Sequence, residues 1–480
     1  MQAIGPDGIR FALPKGRFLS SASELLDAAG VSFEDYSSKT RQYRLLSSRF
    51  ESLSAKILQE KDISVHVSVG NYDLGICGRD WVREMKARYP AAALVEVGSL
   101  PLREGAVYLA TSAYSDLTCL EEVKRSNRTL HLVSEYPGVA TLLAAELRLK
   151  RFRVFPVWGA AGAYPPESAD LVVMWAGDER DLVSQGLRPL KKLFEVDAML
   201  VANSGSLSAR DMSEVLACFS GRLEVARNAG DVPVADGGGL SQSGLLTAWQ
   251  SREIRLALPD GHQKTPAVEL LERAGLDVPG YAGKTSERRL LPGIDWLAVK
   301  VIRPQDMPLQ VASGHFDLAV TGQDWLHEHL CAFPSSPVVE LLDLGFGKVR
   351  VVAALSEDVP VSTTEELSRF VARGGFRPLR VASEYTNIAD RYLRDNHIGA
   401  YKVVPTWGAS EAFLPDDADL LVDNTQTGKT LVENRLKIIE VILRSSACLI
   451  ANAESLRAPS KKAKIDELRA MLAGAVNETG

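Results

Sequence analysis

The chain has 480 residues, 46% hydrophobic and 24% charged, with a net charge of −6. That length supports two or more cored domains, and the acidic balance excludes wholesale nucleic-acid binding while leaving room for a local basic pocket. No apolar run approaches a membrane span, residues 1–10 lack the apolar stretch of a signal peptide, and five scattered cysteines without a Cys-x-x-Cys pair argue against a disulfide framework or a zinc site, so a cytoplasmic protein is expected.

In chain order, residues 9–13 predict a strand and 20–29 a helix, while 106–110 and 171–173 are apolar runs of strand length. Residues 228–250 are rich in Gly and Ser, with Gly237, Gly238 and Gly239 at their centre, and read as a linker. The pattern then restarts. Ile254-Arg255-Leu256-Ala257-Leu258-Pro259 repeats Ile9-Arg10-Phe11-Ala12-Leu13-Pro14, and runs at 349–353 and 420–422 repeat the later strands. Asp80-Trp81, Ser134-Glu135-Tyr136 and Trp158-Gly159-Ala160 return as Asp324-Trp325, Ser383-Glu384-Tyr385 and Trp407-Gly408-Ala409. This is a tandem duplication of a whole domain, too long for a solenoid repeat. Alternating β and α units imply mixed sheets covered by helices. Residues 461–472 predict a closing amphipathic helix. His315, His327 and His329 read as surface or capping groups in preference to metal ligands.

The most chemical segment is Asp423-Asn424-Thr425-Gln426-Thr427-Gly428-Lys429-Thr430. An apolar strand runs into Asp423, a small polar loop follows, and a helix is expected to start near Thr430. Backbone N–H groups and Thr hydroxyls in such a turn suit a phosphate, and an acid just before them suits ribose hydroxyls. Gly428-Lys429-Thr430 mimics the end of a Walker A loop, but Asp423 stands where its first glycine belongs. An ordinary helix-capping turn is the alternative reading.

With these residues in place, the second copy resembles the short-form ATP phosphoribosyltransferases of histidine biosynthesis. The similar pieces are ALPDG (257–261), RPQDMP (303–308), DLAVTGQDWLHE (317–328), LLDLGFGKVR (341–350), VASEYTNIADRYL (381–393), WGASEAFLP (407–415) and LVDNTQTGKTLVEN (421–434). The first copy resembles the family more thinly. The resemblance implies an α/β fold: two tandem copies of a two-lobed, periplasmic-binding-protein-like domain with mixed sheets flanked by helices. The expected domains are 1–227 (lobes about 9–98 plus 186–227, and 104–185) and 251–480 (lobes about 254–343 plus 436–480, and 348–434), joined by the 228–250 linker.

The resemblance also implies transfer of 5-phosphoribosyl from phosphoribosyl pyrophosphate (PRPP) to N1 of ATP, with Mg²⁺ carried by PRPP. Residues 423–430 would bind PRPP. Glu411, Ser383, Tyr385, Gly322 and Asp324 would lie at the nucleotide. The family grips pyrophosphate with a Lys-Gly-Arg after the first strand and an Arg after the first helix. Lys15 and Arg17 keep the former, where the second copy has Asp260 and His262; Arg44 and Arg289 stand for the latter. The first copy instead lacks the phosphate loop, having Met174 at the place of Asp423, then Trp175 and the acids Asp178 and Glu179. These reciprocal losses suggest one composite site, with the loop from one copy and Lys15 and Arg17 from the other. A phosphoribosyltransferase acting on another nitrogen heterocycle, and a non-catalytic PRPP- or nucleotide-binding regulator, are the alternatives. A separate regulatory subunit or a homo-oligomer is the expected partner, with no nucleic acid and no membrane.

Overall fold

Each Ala-Leu-Pro segment forms a buried strand inside a sheet. The computed structural model describes residues 8–33, 35–37, 44–223, 248–283, 288–408 and 410–477. The expected linker lies outside the described residues as far as residue 247. The chain divides into two units: Met1–Val157 with Tyr164–Leu240, and Trp158–Ala163 with Ser241–Gly480.

The strands of unit 1 are β1 (Ile9–Lys15), β2 (Arg44–Leu46), β3 (Leu53–Gln59), β4 (Leu74–Gly78), β5 (Leu94–Ser112), β6 (Leu130–Ser134), β7 (Phe152–Pro156), β8 (Leu171–Ala176) and β9 (Leu187–Asn203). They form one mixed sheet in the order β2-β3-β1-β4-β9-β5-β8-β6-β7. The helix Leu19–Ala29 buries Ala22, Leu25, Leu26 and Ala29, the spacing of one helical face, and stops at Gly30 with φ 72°. The long antiparallel pair β5 and β9 crosses both halves of the sheet, so one hydrophobic cluster runs from Phe11 to Val173.

The strands of unit 2 are β10 (Ile254–Pro259), β11 (Arg289–Leu290), β12 (Leu297–Ile302), β13 (Leu318–Gly322), β14 (Val338–Asp343), β15 (Val349–Ser356), β16 (Leu379–Ser383), β17 (Tyr401–Pro405), β18 (Leu420–Thr425), β19 (Leu436–Ser445) and β20 (Ala447–Asn452). They form two separate mixed sheets, β11-β12-β10-β13-β20-β14 and β17-β16-β18-β15-β19. The break falls where the sequence has Leu344-Gly345-Phe346-Gly347-Lys348. Gly345 and Gly347 both adopt positive φ, two reversals within three residues, and strand pairing is interrupted between Asp343 and Val349. Unit 1 has Leu100-Pro101-Leu102 near this place and keeps an unbroken β5. Unit 2 accordingly has two cores, one around Leu256 and Leu449 and one around Val351 and Leu420.

The structure differs from the sequence expectations in four details. Leu436–Ser445 pairs with β15 along its length, so the chain returns to the first sheet at Ser446 and not near residue 436. The strand expected to end at Asp423 continues to Thr425, because Thr425, Asn424 and Asp423 pair with Arg350, Val351 and Val352. The closing helix is longer, Pro459–Asn477, since Ile465, Leu468, Leu472 and Ala475 all bury in the first core. His315 is buried, with Nδ1 2.9 Å from Gln310 Oε1; unit 1 builds the same contact in reverse from His66 and Asn71.

Candidate active site

The turn after β18 is built by its own residues. Gly428 has φ 82°, a conformation that costs an L side chain roughly 1–2 kcal/mol. Its N–H donates to Thr425 Oγ1 at 3.0 Å, and the Lys429 N–H donates to Thr427 Oγ1 at 3.3 Å. Two amides of the expected phosphate nest are therefore already held by threonine hydroxyls. A phosphate entering the turn would take over these donors. Gln426, Thr427, Lys429 and Thr430 are exposed.

Asp423 precedes the turn as a half-buried carboxyl, pushed up from its ordinary 3.8 to about 6. Loss of water is the main cause, and Glu411 and Asp324 add repulsion. Glu411 sits in the short 3₁₀ turn Ser410–Phe413. Asn424 donates its own N–H to Asp423 Oδ1 at 2.7 Å and its amide Nδ2 to the Tyr385 hydroxyl at 2.7 Å. Tyr385 donates that hydroxyl to Asp324 Oδ2 at 2.6 Å, and Ser445 Oγ donates to Asp324 Oδ1 at 3.0 Å. Trp325 stacks on Tyr385 with ring centroids 4.4 Å apart. Ser383 donates to the Val422 carbonyl at 2.5 Å and accepts from Tyr385 N–H at 2.9 Å.

Ser383, Tyr385 and Asp324, read from the sequence as nucleotide contacts, are thus buried and partnered with protein. They hold Asn424, and through it the loop, in register. Gly322 precedes Gln323–Ala332, where an added β-carbon would collide with the Asp324 carboxylate.

The expected cations are placed differently. Lys15 ends β1 and is exposed. Arg17 is committed within unit 1: its Nη2 lies 2.8 Å from Glu60 Oε2 and 2.7 Å from Asp80 Oδ2, and its guanidinium stands 5.1 Å from the Trp175 ring. Two carboxylates share that one guanidinium, so burial still pushes Glu60 up to about 7. Tyr136 also donates to Asp80 Oδ2 at 2.7 Å. Arg17 therefore reaches the Tyr-Asp pair that Asn424 reaches in unit 2. Arg44 opens β2 and pairs with Lys56; Arg289 opens β11 and pairs with Lys300, the matching register. The Arg44 side chain lies outside the described ones. Asp260 has Arg288 at 3.4 Å and Arg303 at 3.5 Å, so the acid at the Lys15 position brings its own cations.

Unit 1 has closed its version of the loop. Met174 pairs with Tyr108 as Asp423 pairs with Val352. Trp175 donates its indole N–H to the Glu104 carbonyl at 2.6 Å. Asp178 accepts from the N–H groups of Arg180 and Asp181 at 2.8 and 3.1 Å, satisfying with a carboxylate the donors a phosphate would need.

Residues without an assigned role in the sequence complete the picture. A cavity of about 420 Å³ in unit 2 is lined by Gln323, Lys348, Arg350, Gln426, Arg444 and Ser446, among others. The cations were present in the segments LLDLGFGKVR and Arg444-Ser445-Ser446, but only strand pairing brings them together. Among the described residues no group of three or more His, Cys, Asp or Glu side chains could hold a metal ion, and no helix is long and apolar enough to cross a membrane.

The chain matches the family HisG, ATP phosphoribosyltransferase, over residues 59–223 and 303–474. Among curated relatives, ATP phosphoribosyltransferase from Chlorobium phaeovibrioides is 36% identical over 237 residues, covering 48% of this chain and 74% of the relative. The Solibacter usitatus protein of the same name is 35% identical over 231 residues, covering 47% and 74%. Similar solved structures include the "ATP phosphoribosyl transferase (HisG:HisZ) complex from Thermotoga maritima", at 22% identity over 47% of this chain and 99% of that one, TM-score 0.38. Another is the periplasmic aliphatic sulphonate binding protein SsuA from Escherichia coli, at 18% identity over 45% and 73%, TM-score 0.31. The family match spans well over half the chain and includes parts of both copies, so this protein belongs to the HisG family of ATP phosphoribosyltransferases, transferases of the pentosyltransferase kind.

Proposed function

We propose that this chain transfers the 5-phosphoribosyl group of PRPP to N1 of ATP at the Asp423–Thr430 turn of unit 2. The N1 lone pair forms the new bond to the ribose C1. The C1–O bond breaks, and pyrophosphate leaves with its electron pair. A ring nitrogen needs no activated nucleophile, so the protein's work is to place the ribose and to neutralise the leaving group. Thr425, Thr427, Gly428 and Thr430 take the 5′-phosphate, ionised Asp423 takes the ribose hydroxyls, and Glu411 lies toward the nucleotide. Mg²⁺ arrives as part of the PRPP substrate. A cytoplasmic location and a regulatory subunit or homo-oligomer belong to the same reading.

The observation that carries the reading is the turn itself. Its left-handed Gly428, two threonine-capped amides and preceding acid occur in unit 2, while unit 1 fills the same place with Trp175 and a self-capping Asp178. The finer reading is one composite site per chain, using Lys15 and Arg17 of the first copy. Arg17 must then exchange Glu60 and Asp80 for pyrophosphate, and Lys15, exposed at the end of β1, is the residue to probe.

Incubation of the full chain with PRPP, ATP and Mg²⁺ should yield phosphoribosyl-ATP and pyrophosphate. Lys15→Ala should lower turnover by about 10²–10³, the usual loss for an oriented charge donor, and Asp260→Ala should change it little. Turnover unaffected by Lys15→Ala would remove the composite site and leave the reaction. PRPP binding without turnover on ATP points to another acceptor, and no PRPP binding points to a regulator.

A further inference from the structure

We propose that the basic cavity of unit 2 is a polyphosphate subsite, in which Lys348, Arg350 and Arg444 receive either the diphosphate of PRPP or the triphosphate of ATP. This rests on the phosphoribosyl-transfer reading and assigns it cations from the same unit as the loop.

Three observations converge. The first is position. Gln426 belongs both to the loop and to the cavity wall, and Arg350 Nη2 lies 3.9 Å from where a β-carbon on Gly428 would stand. A phosphate in the turn and one in the cavity would be neighbours. The volume, about 420 Å³, is that of a small-molecule pocket.

The second is uncompensated charge. Arg350 of β15 is paired directly with Arg444 of β19 on one side and with Thr425 of β18 on the other. Directly opposed residues of an antiparallel pair project to the same face, where like charges destabilise the sheet. Among the described residues, no side-chain hydrogen bond or ion pair satisfies Lys348, Arg350 or Arg444. The acid on the wall, Asp343, is occupied by Ser446 Oγ at 2.6 Å and Gly345 N–H at 2.9 Å. An anionic ligand would remove the repulsion, and guanidinium forks suit bidentate phosphate contacts.

The third is the internal comparison. In unit 1 the corresponding row is Ala176, Ala106 and Glu195, paired in the same register. One residue before Val349 or its match Gly105, Lys348 becomes Glu104. The three cations of unit 2 are thus glutamate, alanine and glutamate in unit 1, the copy that also lost its loop. A set kept for solubility or folding alone would have no reason to invert together with the loop.

The test is calorimetric titration of the full chain with PRPP, ATP and inorganic pyrophosphate, in wild type and in Arg350→Gln/Arg444→Gln. The double variant should lose at least tenfold in affinity for PRPP or for ATP, and for pyrophosphate. The substrate that weakens identifies the tail held. Lys348→Glu, which installs the residue of unit 1 at an exposed position, should weaken the same ligand if the double variant does not fold. Lys462→Gln, on an exposed face of the closing helix, should change nothing. Affinities within twofold of wild type for all three ligands, in folded variants, would overturn the subsite while wild-type turnover keeps the reaction. Wild type that binds neither PRPP nor ATP would overturn both.

Discussion

Asp423, the acid proposed to hold the ribose, is costly to the fold in its ionised form. Its folded value is raised from the ordinary 3.8 to about 6, so the fold holds the protonated form more tightly than the unfolded chain does. The destabilisation is absent below about pH 4, grows as pH rises and is complete above about pH 6. Asp423→Asn should therefore raise stability by up to about 3 kcal/mol near pH 7.5, with the gain shrinking toward pH 4. On the proposed reading the same change should also abolish most turnover, because it removes the negative charge and turns one of the two acceptors offered to the ribose hydroxyls into a donor. Denaturant melts across that pH range check the sign, and a gain that grows toward pH 4 would contradict it. The Asp423-to-Thr430 motif was legible from residue types and order. The Arg17 contacts were not: Glu60 and Asp80 lie 43 and 63 residues from Arg17, and only the sheet brings them to its guanidinium.

Among the elements, the two copies differ most in the turn after β18 and in where the strands break. Gly428 at φ 82° lets β18 turn into Lys429–Glu433 while leaving threonine hydroxyls around the opening. Gly428→Ala should cost about 1–2 kcal/mol and weaken PRPP binding; an unchanged melting temperature would mean the turn tolerates a β-carbon. The strands of both copies were legible as apolar runs, but their ends were not. β18 runs on through polar Asp423, Asn424 and Thr425 because β15 offers hydrogen-bonding partners, which no local pattern records. Likewise the hydrogen-bonded relay from Asp324 through Tyr385 to Asn424, with Ser383 behind it, joins residues far apart in sequence and was not legible in it. The cavity cations were invisible as a group, because Arg350 and Arg444 meet across β15 and β19.

For the whole molecule, duplication supplies its own control. Matched registers pair loop with lost loop, cations with acids, and a split pair of sheets with one continuous sheet. The copies share elements and a core logic, and they differ at the turn after β18 and at the row of Lys348, Arg350 and Arg444, where the proposed function puts phosphate. On the proposed reading each chain has one PRPP site, built on the unit 2 loop. The most direct measurement is the stoichiometry of PRPP binding to the full chain by calorimetry. One PRPP per chain, lost in Asp423→Asn, is the result expected. Two per chain, or binding that survives that substitution, would contradict it.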